Sequence, residues 1–135
     1  MSGENKLVVG TFLERLSAGE VDRAFELIAP GATWFSLSTR THADALETKA
    51  QIEWAFGTAL TSPIRQQVLV MTAEENRVAV LSEGHATTVE GVAYDNLYHF
   101  LFELDGGLIE RIWEFNDTQH VRDVLRRGEG GALGT

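Results

Sequence analysis

Residues 94–125 read YDNLYHFLFELDGGLIERIWEFNDTQHVRDVL, and the rest of the chain is organised around this stretch. Tyr94, Asn96, Tyr98, Phe100, Phe102 and Leu104 alternate with Asp95, Leu97, His99, Leu101 and Glu103, which is the period of a β-strand and not of a helix. Asp105-Gly106-Gly107 supplies the positive-φ residues of a tight turn, and Leu108 to Asn116 returns as the partner strand. Asn116-Asp117 offers side-chain acceptors to the free amides of a short following helix, whose apolar stripe is Val121, Val124 and Leu125. One face of the hairpin joins aromatic rings to polar tips, the composition of a pocket wall.

Working outward, residues 64–73 and 77–89 are two further strands rich in β-branched residues, joined through Glu74-Glu75-Asn76. The second carries Leu81, Glu83, His85 and Thr87 in one phase. Before them, the spacing of Thr48-Lys49-Ala50-Gln51 is that of a capping box and opens a helix with the stripe Ile52, Ala55, Phe56, Ala59 and Leu60; Trp54 lies off that stripe. A polar loop containing His42 links this helix to a strand over 32–38, which places Trp34, Ser36 and Ser38 on one face. The chain opens with a helix over 4–17, ending near Gly19. A second helix runs from Glu20 through Ile28 until Pro30-Gly31 stops it. The remaining glycines fall at turns and in the tail. Helix, helix, strand, helix, four strands and a short helix make an α+β fold, in which a curved antiparallel sheet wraps around helices and leaves a conical pocket. Residues 1–127 form the domain, and the glycine-rich residues 128–135 read as a flexible tail.

Composition narrows the function. A chain of 135 residues builds one core. With no cysteine there is no disulfide, no thiol nucleophile and no cysteine zinc site, and the histidines stand at no ligand spacing, so no metal is expected. No glycine-rich phosphate loop follows a strand, so no cofactor is expected either. A net charge of -9 argues against a nucleic-acid partner. The polar opening MSGENKLVVG is no signal peptide and no stretch has membrane-spanning length, so the expected setting is cytoplasmic.

The head FLERLSAGEVDRAFELIAPGATWFS, with Tyr94-x-Asn96-x-Tyr98, Asp105-Gly106 and Trp113-Glu114-Phe115-Asn116-Asp117-Thr118, resembles the nuclear-transport-factor-two-like superfamily in its SnoaL-like branch. The resemblance implies a cone-shaped α+β roll. That superfamily spans ketosteroid isomerases, polyketide cyclases, limonene epoxide hydrolases, dehydratases and non-catalytic binders, so the resemblance specifies fold better than reaction. The positions that act in the ketosteroid isomerases align with Phe12, Ser36 and Tyr98, of which Tyr98 alone still donates as its counterpart does. The epoxide-hydrolase positions align with Leu81, Glu83, Glu114, Trp34 and Ser36, and there the two acids are kept. A cyclase needs one acid-base group in the pocket, which Glu114 or His85 would supply.

The resemblance and the strand phases together name Glu114 as general acid or base with Glu83 and His85 as its partners. Trp34, Ser36, Asn96, Tyr98, Phe100 and Asn116 form the substrate-binding wall around a small apolar organic molecule. The competing reading makes Glu114 a structural ion pair with Arg111 or Arg77, and the protein a non-catalytic ligand carrier or interaction module. Leu97, Leu101, Ile109 and Trp113 lie opposite the pocket, which leads us to expect a homodimer through the outer sheet face. His42 and His120 are expected on the solvated surface.

Overall fold

The computed structural model describes residues 2–125. Six strands form one sheet in the order β2-β1-β6-β5-β4-β3, with β1 Ile28–Ser36, β2 Thr41–Asp44, β3 Arg65–Glu74, β4 Arg77–Thr87, β5 Ala93–Asp105 and β6 Leu108–Asn116. The helices are α1 Ser2–Ser17, α2 Val21–Phe25, α3 Ala45–Trp54 and α4 Thr118–Val124. The hairpin β5–β6 occupies the middle of the sheet, as its sequence suggests. Gly106 and Gly107 both take positive φ, 60° and 84°, the backbone of a two-residue turn that matches strand twist. The inward phase of β5 is buried throughout, with Tyr94 and Phe102 fully enclosed.

The sheet is curved and unclosed, and three irregularities mark places where it bends. Pairing shifts between Val68 and Val70 on β3, between Ile109 and Arg111 on β6, and between Ile28 and Thr33 on β1. The β6 shift overturns one sequence assignment. Ile109 is not on the outer face: the extra residue turns both Ile109 and Ile112 inward, at 0% and 1% exposure.

Other boundaries differ for local reasons. The second helix ends at Phe25, and Ile28 already belongs to β1, so Pro30-Gly31 sits in a strand irregularity where Gly31 adopts φ 78°. The pair β1–β6 is parallel, so the sheet is mixed and not wholly antiparallel. The segment around His42 is an edge strand, β2, paired with β1. Helix α3 starts at Ala45, not after Thr48, because Asp44 Oδ1 accepts from the Leu46 amide at 2.8 Å and caps it earlier. Its C-terminal end widens into a π-helical turn over Ala55–Ala59. Asp117 caps α4 as the sequence suggests, accepting from the amides of Gln119 and His120. The glycine-rich tail lies outside the described residues. Among those residues no helix is long and apolar enough to cross a membrane.

Helix α1 lies across the inner face with Val9, Phe12 and Leu13 at 0–2% exposure, packed with Val78, Val80, Phe102 and Ile112. Phe12 touches the edges of Phe25 and Phe102, and Phe25 stacks on Trp34 at 6.2 Å. This aromatic layer fixes the Trp34 ring, and with it the direction of its indole N–H.

Candidate functional site

Between the open end of the sheet, α3 and α4 lies a cavity of about 150 Å³. Its apolar wall includes Trp34, Ile52, Phe56, Ile64, Val121 and Leu125, and its polar groups include Tyr98, Glu114 and Asn116. The helix α4 contributes Thr118, Val121, Arg122 and Leu125, a spacing that puts all four on one helical face. The π turn contributes Ala55 and Phe56.

Glu114 is the acid of this cavity. Its Oε1 accepts from Trp34 Nε1 at 2.9 Å and its Oε2 accepts from Asn116 Nδ2 at 2.9 Å. Both donors are neutral. Among the described residues no arginine, lysine or histidine pairs with it; Arg77 is tied to Glu74 and Glu75, and the ion-pair alternative has no partner here. Burial pushes the Glu114 carboxyl above the usual carboxylate range, and the Trp34 and Asn116 hydrogen bonds counter part of that rise. The geometry therefore holds a carboxylate still while leaving it free to take a proton.

Beside it runs a buried chain of hydroxyls. Asn96 is oriented by its surroundings: its Oδ1 accepts from the Asp117 amide at 3.1 Å, which turns its Nδ2 toward the Tyr94 hydroxyl at 3.0 Å. Tyr94 and Tyr98 hydroxyls meet at 2.5 Å. With Tyr94 accepting from Asn96 and donating to Tyr98, the Tyr98 proton is left for a group in the cavity. Burial pushes Tyr94 up to about 12, and burial with the adjacent Tyr94 hydroxyl pushes Tyr98 well above its ordinary value. Both phenols stay protonated donors at neutral pH.

The expected partners of Glu114 are elsewhere. Glu83 and His85 lie in the outward phase of β4, alternating with the buried Val80, Ser82 and Gly84, and neither lines the cavity. His85 instead contacts Asp95 through Nδ1 at 2.6 Å and Glu83 through Nε2 at 3.4 Å. Trp34, Ser36, Tyr98 and Asn116 do reach the cavity. Asn96 and Phe100 stand behind it, Asn96 orienting Tyr94 and Phe100 stacked on Tyr98 at 5.4 Å. His120 is not a solvated histidine: its ring stacks on Tyr94 at 5.3 Å and its Nε2 accepts from the Asp95 amide. His42 packs edge-on against Trp113 at 4.4 Å on the outer face.

Sequence reading missed Thr48, Gln51, Ile64 and Arg122, all of which line the cavity. Helical spacing from Thr118 would have pointed to Arg122; nothing in the sequence marked Ile64. It also overlooked Gly84, a glycine inside a strand. A Cβ built there would lie 2.6 Å from Tyr98 Cε1 and 2.9 Å from Ile64 Cγ2, so the missing side chain admits the Tyr98 ring.

A curved α+β sheet with an acid and aromatic donors in its inner cavity defines a class, and sequence comparison identifies the family. The SnoaL-like domain matches residues 9–112, and the chain belongs to that family. No curated protein matches it in sequence. Among solved structures it is similar to PrhC from Penicillium brasilianum, with TM-score 0.83 and 17% identity over 98% of this chain and 93% of that one. An epoxide hydrolase of the LEH-like type from M. tuberculosis aligns with TM-score 0.76 and 14% identity over 96% and 95% of the two chains. An NTF2-like protein from Burkholderia pseudomallei K96243 aligns with TM-score 0.78 and 17% identity over 93% and 98%. At these identities the likeness establishes the fold alone.

Proposed function

We propose that the protein is a cofactor-free acid-base enzyme acting on a small, largely apolar carbonyl compound. The observation that carries this reading is Glu114: a carboxyl held by two neutral donors, without a cation, at the wall of an apolar cavity. In the reaction we envisage, a substrate carbonyl accepts from the Tyr98 hydroxyl while Glu114 takes a proton from the adjacent carbon. The electron pair of the C–H bond moves into the enolate, whose oxygen Tyr98 stabilises. Glu114 then returns the proton to a different atom of the same molecule, so an isomerisation or cyclisation closes with no net change in atoms or electrons. Glu83 and His85 take no part. Incubating the protein in D2O with cyclohexanone and following α-hydrogen exchange by NMR tests the reading. Enhanced exchange that Glu114→Gln removes is expected; exchange equal in the two proteins would refute it.

We also propose that two copies associate through the outer sheet face. Leu97 and Val70 are 55% and 53% exposed there, and Phe35, Trp113 and Phe115 form a continuous aromatic cluster beside them. Such a patch exceeds what monomers usually leave in water. Light scattering is expected to give about twice the 14.9 kDa chain mass, and Leu97→Lys to shift it toward the monomer. A monomeric mass for the unaltered chain at micromolar concentration would rule the interface out.

A further inference from the structure

The charges around the cavity are distributed unevenly. Among the described residues, Glu114 and Arg122 are the only charged residues that line it. Glu114 comes from the sheet and Arg122 from α4, so acid and base stand on different walls. In a chain of net charge -9 an arginine should find a carboxylate easily, and Arg15, Arg23 and Arg77 do. Arg122 has none within 4.0 Å among the described residues. The adjacent carboxylate, Asp123, is held by Gln119 Nε2 at 2.9 Å. The helical spacing Thr118, Val121, Arg122, Leu125 turns the arginine stem to the cavity, while Arg122 itself is exposed and keeps its head in water. Ser36, Ser38, Thr48 and Gln51 add uncharged hydrogen-bonding groups to the lining.

The size of the cavity adds a second constraint. At about 150 Å³ it matches the volume of an apolar cavity known to enclose one benzene ring. A fused polycyclic body would not be enclosed.

We propose that the ligand is a single-ring organic acid: its ring fills the space between Trp34, Ile52, Phe56 and Ile64, and its carboxylate pairs with the Arg122 guanidinium. Arg122 is thus a specificity-determining residue, because a planar guanidinium fits a carboxylate with two parallel hydrogen bonds where a neutral group would make fewer. The partly raised Glu114 supports this arrangement, since a carboxyl that holds its proton more readily repels a second anion less. The inference rests on reading this cavity as the ligand site, but not on Glu114 transferring protons.

The test compares benzoate with its neutral counterpart benzamide, using quenching of tryptophan fluorescence as the binding signal because Trp34 lines the cavity. The full-length protein is expected to bind benzoate about tenfold more tightly than benzamide, the size of a charge-assisted hydrogen bond at a half-exposed site. Arg122→Gln should lower benzoate affinity to that of benzamide and leave benzamide unchanged. Arg122→Lys should recover part of the preference. Glu114→Gln should keep or strengthen it, whatever that variant does to proton exchange, so a failure of the acid-base reading would be visible separately. Equal affinity for the two probes, an equal loss of both in Arg122→Gln, or no saturable binding of either below about 10 mM would each overturn the proposal.

Discussion

Glu114→Gln is expected to slow carbonyl-directed proton exchange by about a hundredfold or more, with no loss of folding stability at neutral pH. The amide keeps the shape of the carboxylate and can still accept from Trp34 Nε1, while Asn116 can turn its own carbonyl toward the new amide. What disappears is the ability to take a proton. The sign of the stability effect follows from burial. In the folded chain the carboxyl holds its proton more tightly than in the unfolded chain, so this group stabilises the fold fully only at pH below the unfolded value. That stabilisation is lost as pH rises through the raised folded value. Above it, the buried charge is a liability that two neutral donors offset only in part. Removing the charge should therefore leave the melting temperature at pH 7 unchanged or raise it by a few degrees, with any gain shrinking as pH falls into the acid range. A clear drop in melting temperature at pH 7 would mean that Glu114 holds the fold together, and the catalytic reading would go with it. As general base, Glu114 should also give an exchange rate that climbs with pH through a midpoint above the ordinary carboxylate range.

Gly84→Ala should damage the same site from the opposite side of the sheet. The added methyl group would press on the Tyr98 ring and on Ile64 at distances that real Cβ atoms do not tolerate. Neither neighbour has room to yield: Tyr98 is 4% exposed, stacked on Phe100 and hydrogen-bonded to Tyr94. Overpacking of this kind costs about 1–3 kcal/mol, or roughly 3–15 °C in a domain of this size. Because the ring must shift to relieve the contact, its hydroxyl leaves the position from which it donates, and exchange should fall by about ten- to a hundredfold in the protein that remains folded. Thermal melting and the D2O assay at a temperature well below the transition separate the two effects. A variant with both quantities unchanged would show that Tyr98 is not held where the geometry puts it.

The sequence by itself determined the central hairpin, its two-glycine turn, its buried phase from Tyr94 to Leu104, and the Asp117 cap on α4. These features are local: a period of two, residues tolerant of positive φ, and a carboxylate one residue before a helix each act within a few positions of the chain. The same local character made the α+β class and the SnoaL-like resemblance legible. Register across strands was not local. A single extra residue near Glu110 turned Ile109 inward, and alternation read from β4 alone could not say that Glu83 and His85 face away from the cavity while Glu114 lines it. Nor does the sequence reveal that β6 lies parallel to β1, the pairing that aligns Trp34 with Ile112 and Ser36 with Glu114. That pairing brings the Trp34 indole to the Glu114 carboxylate across eighty positions of chain. The site is thus a product of tertiary structure, because its hydrogen bonds join strands and helices that only folding brings together, and the shifted acidity of Glu114 comes first from the burial that the same folding imposes.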